Sequence, residues 1–118
     1  MSTQIVDFEQ KGTVLIARPQ VEFIFETETV EAIKQAIQTR LTETNSTQVA
    51  MDFSKVQTFA SNFIGMLVGL KRKLGGRGGD LRLSGINERL MEIINITRLD
   101  QVFSIHDALD ASVKSFAK

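Results

Sequence analysis

The sequence predicts an α/β fold on a mainly parallel sheet, and three observations carry that prediction. Short β-rich runs alternate with longer segments of helical periodicity, in the order β-β-α-β-α-β-α-β-α. Helical segments of about ten residues or more between strands imply βαβ crossovers, which make neighbouring strands parallel. The 118 residues, 42% of them hydrophobic, suffice for one core. With no internal repeat and no linker, residues 1–118 read as a single domain.

Each element has a local reason. Residues 3–9 and 13–17 are two strands, and Lys11-Gly12 between them is a hairpin signal. Pro19 ends the second. Residues 20–25 (Gln-Val-Glu-Phe-Ile-Phe) fit a further short strand or an extended edge segment equally well. Thr27 or Thr29 then offers an N-cap to a helix of roughly four turns. Its apolar residues Val30, Ile33, Ala36, Ile37 and Leu41 recur at helical spacing. After the polar loop Thr44 to Thr47 comes a strand from Gln48 to Phe53, with Val49, Met51 and Phe53 on one side.

Ser61 then stands where strand gives way to helix. The helix runs from about Asn62 to Leu74, and the Gly75 to Gly79 run stops it. Asp80 to Ser84 is a strand showing Leu81 and Leu83 on one face. Asn87 caps a third helix whose Leu90, Ile93, Ile94 and Thr97 face inward. A short strand follows near Val102 to Ile105. Asp107 caps a last helix carrying Ala108, Ala111 and Phe116, with Leu109 and Val113 beside them.

Composition removes several function classes. Fourteen basic and fourteen acidic residues cancel, so no basic excess points to nucleic acid. The apolar runs are too short to cross a bilayer, and the Met1-Ser2-Thr3-Gln4 start has no signal-peptide character. A cytoplasmic protein without membrane insertion is expected. The absence of cysteine excludes disulfides, thiolate metal sites and cysteine nucleophiles. One histidine cannot build a multi-histidine metal site, and tyrosine and tryptophan are missing. No cofactor is expected, and a small-ligand carrier or enzyme would need a deep pocket with converging polar groups.

Ser61 is the first candidate functional residue. A hydroxyl at a strand–helix junction can cap the helix, or it can carry a phosphate at the positive end of the helix dipole. The helix behind it is apolar on more faces than one core-facing stripe needs. Either neighbouring elements cover it, or Phe63 and Met66 form an exposed partner patch. The Gly75 to Gly79 run follows a helix and lacks phosphate-loop spacing. His106 beside Asp107 has no nucleophile or metal cluster near it in sequence. Lys71, Arg72, Lys73 and Arg77 read as a solvated cluster at a helix C-terminus.

Asp52-Phe53-Ser54, the serine turn, Ile64-Gly65-Met66-Leu67-Val68-Gly69-Leu70, the glycine turn and Asp80-Leu81-Arg82-Leu83-Ser84-Gly85 together resemble the STAS domain of anti-sigma factor antagonists. The segment from Ile93 to Phe103 resembles that family's passage from a helix to the final strand. The ordered series carries the resemblance over nearly the whole chain, most strongly from Val49 onward. It implies a four- or five-stranded mixed β-sheet with about four α-helices packed on it. It also implies a non-enzymatic regulatory module, whose partner is an ATP-binding serine kinase acting as anti-sigma factor. The kinase phosphorylates a serine in an Asp-Ser-Ser-Gly type turn, and a phosphatase resets the switch. The acceptor falls on Ser61. Ala60, Asn62 and Phe63 take the places of the aspartate, second serine and glycine. A family acidic position before the first helix falls on Glu26. The expected partner-binding residues are therefore Glu26, Asn62, Phe63 and Met66. The altered turn also fits an adaptor that has lost the switch and binds its partners constitutively, as in stress-signalling complexes or lipid-transport machinery.

Overall fold

The computed structural model describes residues 4–117. A five-stranded mixed sheet forms its centre, in the order β1-β2-β4-β6-β7. β1 (Val6–Lys11) and β2 (Val14–Pro19) form an antiparallel hairpin. β4 (Gln48–Asp52), β6 (Asp80–Ser84) and β7 (Ser104–His106) extend the sheet in parallel from β2. A separate two-stranded parallel ribbon pairs β3 (Phe23–Ile24) with β5 (Thr58–Phe59). The helices are α1 (Thr27–Thr44), α2 (Ser61–Gly75), α3 (Glu88–Ile96) and α4 (Leu109–Ser115).

The strand order rises steadily from β2 to β7, so each crossover steps in the same direction. Right-handed crossovers then place α1, α2 and α3 on one face of the sheet. Side chains from these three helices bury Leu15, Val49, Met51, Leu81 and Leu83 in one large core. The opposite face carries α4, whose Leu109, Val113 and Phe116 pack on Val14, Ile16 and Ala50. Because the order never reverses, the sheet lacks the crevice at which doubly wound folds bind nucleotides.

Several boundaries differ from expectation, each for a local reason. The first strand runs to Lys11, with Lys11 opposite Val14, so the turn residues are Gly12 and Thr13. Only Gly12 has positive φ (58°), as a two-residue turn with glycine first requires. The predicted start of that strand, Thr3, lies outside the described residues. Neither Thr27 nor Thr29 caps α1. Backbone from β3 stays extended through Glu26, which is the N-cap, and the helix runs for 18 residues. Its buried residues are Val30, Ile33, Ile37 and Leu41, and Ala36 is only partly covered.

In α3 the Asn87 Oδ1 accepts from Leu90 N–H at 2.8 Å, the expected cap. Thr97 is exposed rather than inward, and its hydroxyl donates back to the Ile93 carbonyl. A 3-10 turn at Leu99–Gln101 delays the last strand to Ser104. Ala108, not Asp107, is the N-cap of α4. Within the Gly75 to Gly79 run, Gly79 has the strictest requirement. A Cβ there would lie 1.7 Å from the Thr47 carbonyl oxygen, because the strand entry packs against the end of the α1–β4 loop.

Candidate functional site

Two helix N-termini emerge side by side at one end of the molecule, and the β3–β5 ribbon holds them there. Gln57 N–H donates to the Glu22 carbonyl at 2.7 Å, and Ala60 N–H to that of Ile24 at 3.0 Å. The Asn62 side-chain amide then donates to the Phe25 carbonyl at 2.9 Å. These bonds tie the loop entering α1 to the loop entering α2. They bring Glu26, which follows Phe25, toward Ser61, which precedes Asn62.

Ser61 is exposed and is the first residue of α2. The N-cap is Ala60, and no side-chain hydrogen bond caps the helix. Of the two readings open for Ser61, capping is not what occurs. Phe63 and Ile64 N–H groups both point to the Ala60 carbonyl, at 3.1 and 3.4 Å. The N–H groups of Ser61 and Asn62 have no acceptor within the helix, as at any helix start. Such groups and the helix dipole favour negative charge.

Beneath this surface lies an aromatic cluster. Phe63 is fully buried, against the expectation that it forms an exposed partner patch. Its ring packs on Phe59 with centroids 5.2 Å apart and on Phe53 at 6.1 Å. Phe53 and Phe59 meet edge to face at 5.8 Å. The reason is helical geometry. Phe63, Leu67, Leu70 and Leu74 share the buried stripe of α2. Residues two before and two after Ser61 are thus both anchored in the core, while Ser61 and Asn62 stay outside. Of the predicted contact residues, Glu26 and Asn62 are exposed and Met66 is half-buried on the same side. Thr27, Glu31, Asn62 and Met66 line one depression of about 300 Å³.

Sequence reasoning missed a neighbouring feature. Phe23 and Phe25 are exposed by 53% and 49%, with ring centroids 5.9 Å apart. Period-two alternation is the signal that could have found them. Ile24 between them is fully buried, so its neighbours must point outward.

The remaining hollows are less chemical. Beside His106, a hollow of about 530 Å³ gathers Glu88, Asp100 and Asp107. Among the described residues no group of three or more acidic or histidine side chains is placed to hold a metal ion. No described helix is long and apolar enough to cross a membrane.

The chain is similar to known proteins over almost its full length. A family model described as the STAS domain matches residues 6–112. A putative anti-sigma factor antagonist from Thermotoga maritima superposes with a TM-score of 0.85 at 18% identity, covering 96% of this chain and 95% of that one. An anti-sigma factor antagonist from Mycobacterium paratuberculosis gives 0.79 at 22%, covering 93% and 91%. The phosphorylated form of the Bacillus cell fate determinant SpoIIAA gives 0.69 at 17%, covering 96% and 99%. The structural matches share the fold, and the family match spans both sheet faces and the Ser61 turn: the chain belongs to the STAS domain family.

Proposed function

We propose that the chain is a regulatory binding module of the anti-sigma factor antagonist type. Its partner is an ATP-binding serine kinase acting as anti-sigma factor, and phosphorylation of Ser61 releases that partner. The observation that carries this reading is the exposed Ser61 at the first position of α2, with the capping position left to Ala60. Its hydroxyl is not committed to closing the helix. The kinase would transfer the γ-phosphoryl group of ATP to the Ser61 oxygen, with loss of the hydroxyl proton and release of ADP.

The modification brings about −1.5 to −2 charges. The helix N-terminus accommodates them without refolding, whereas a partner docked over Glu26, Asn62 and Met66 meets a new negative charge. A switch of binding without a switch of fold follows, and a phosphatase would reverse it. Burial of Phe63 supports the reading. The large residue in the family's glycine position turns into the core, and the surface around Ser61 stays free of its ring. A cytoplasmic location and a role without catalysis go with this proposal.

Ala60 favours a second reading. It lacks the carboxylate expected beside the acceptor, which fits a constitutive adaptor in a stress-signalling complex or a lipid-transport system. One experiment separates the two. The intact mass of the protein is measured from growing and from stressed cells, beside a Ser61→Ala variant. A phosphate on the parent that is absent from the variant is the expected result. An unmodified parent under every condition overturns the switch in favour of the adaptor.

A further inference from the structure

The depression lined by Asn62, the residue after Ser61, is the mouth of a longer groove. It shares Lys34, Gly65 and Met66 with a second depression of about 240 Å³ farther along α1 and α2. The stretch of α2 from Asn62 to Lys73 that borders the groove is roughly 16 Å long, about three helical turns. Ile37, Met66 and Leu70 supply its apolar lining. Lys34 and Lys73 border the far part, which no carboxylate lines. None of the ion pairs among the described residues uses either lysine.

Gly65 and Gly69 lie one turn apart on the exposed side of α2. A Cβ at either would meet nothing within 4 Å, so no contact inside the chain calls for a glycine. Glycine also weakens a helix interior relative to alanine. What the two glycines do provide is room for another backbone to approach the groove.

We propose that the groove holds an amphipathic helix of the partner protein. That helix lays small and apolar side chains on Gly65 and Gly69 and sets carboxylates against Lys34 and Lys73. Two arguments select this occupant: the positive charge of Lys34 and Lys73, which no ion pair among the described residues uses, in the far part of the groove, and the groove's continuity with the turn at Asn62. The identification of the occupant with the Ser61 partner rests on the function proposed above. A phosphate on Ser61 would stand next to Asn62 at the groove mouth and would repel an acidic helix.

The probe is a synthetic amphipathic peptide of Ala, Leu and Glu, with a counterpart carrying Lys in place of Glu. Each is titrated into the whole protein while amide NMR shifts are followed. The acidic peptide is expected to move the Gly65 and Gly69 amides, and the basic one to leave them in place. Gly65→Ala and Gly69→Ala variants, singly and together, should keep or raise the melting temperature, so lost binding is not lost folding. In the double variant affinity should fall about tenfold or more, and Lys34→Glu with Lys73→Glu should abolish binding. Shifts outside the groove, equal binding of the basic peptide, or unchanged affinity of the glycine variants overturns the proposal. So does co-sedimentation with anionic phosphatidylglycerol vesicles that Lys34→Glu abolishes, which would assign the groove to a lipid surface. None of these readouts depends on Ser61 modification, so failure of the phospho-switch and failure of the groove are separable.

Discussion

The two faces of the sheet are built on different principles. Toward α1, α2 and α3 the strands present Val6, Leu15, Ala17, Val49, Met51, Leu81 and Leu83, all buried and all apolar. Toward α4 the same strands present charge. There Arg18 bonds Glu9 at 2.9 Å and lies 3.6 Å from the buried Asp52. Only Val14, Ile16 and Ala50 form an apolar patch there. The hydrogen bond from Arg18 holds the Glu9 carboxyl below its usual pKa. The difference teaches where the fold is specified. The three-helix face supplies the apolar burial that stabilises the chain, and it also carries the Ser61 turn. The α4 face supplies a thin cover tied down by polar bonds.

Removing the Phe63 ring breaks this comparison most severely. Phe63→Ala deletes a fully buried side chain and two aromatic contacts. A loss of about 3–5 kcal/mol is expected, measured by urea unfolding. The same cavity opens beneath Ser61, so faster amide exchange at Ser61 and Asn62 should accompany it. A loss no larger than that of a surface substitution would show that the aromatic cluster does not anchor the turn.

On the other face the matching change is Phe116→Ala. This ring is half-buried, packed on the Val14, Ile16 and Ala50 patch, with the Arg82 guanidinium 4.2 Å above its centroid. The expected cost is about 1–2 kcal/mol. Exchange at the Ser61 turn should stay unchanged, because α4 packs on the opposite face of the sheet from α2 and the aromatic cluster. An equal loss in the two variants would erase the distinction between the faces.

Much of this division was legible beforehand. Alternation in Val49, Met51 and Leu81, Leu83 named the inner face, and helical spacing named Val30, Ile33, Ile37 and Leu41. Asn87 announced its own cap. The rest depended on partners distant in sequence. Periodicity could not decide whether Phe63 faces inward, since α2 is apolar on several sides and the choice is made by Phe53 and Phe59. The ribbon pairing of Phe23–Ile24 with Thr58–Phe59 was illegible, because residues 20–25 fitted a strand or an edge segment equally well and nothing in the sequence marked Thr58–Phe59 as its partner. That ribbon is what assembles the site. It shifts the start of α1 to follow Glu26 and leaves the cap of α2 to Ala60. At α4 the short, marginal helix follows tertiary contact, so Leu109, Val113 and Phe116 rather than Ala108 and Ala111 pack on the sheet.

The smallest expected effect concerns the bond that joins the two faces. Lys71 of α2 donates to Asp80, Arg82 Nε donates to the other Asp80 oxygen at 3.1 Å, and the far end of Arg82 donates to the Ser115 carbonyl at 2.6 Å in α4. Burial pushes the Asp80 carboxyl upward, but hydrogen bonds from Lys71, Arg82 and the Leu81 N–H together bring it below its ordinary value of 3.8. Because the folded pKa is the lower one, ionised Asp80 stabilises the fold above the unfolded pKa. That stabilisation is lost as pH falls through the folded value. Asp80→Asn should therefore cost about 1 kcal/mol or less at neutral pH, given partial exposure of the pair. It should cost nothing once the parent carboxyl is itself protonated. Thermal melts of the two proteins should converge as pH drops below 3.8. If the gap persists in acid, the carboxylate charge is not what binds α2 to α4, and shape at Asp80 must do so instead.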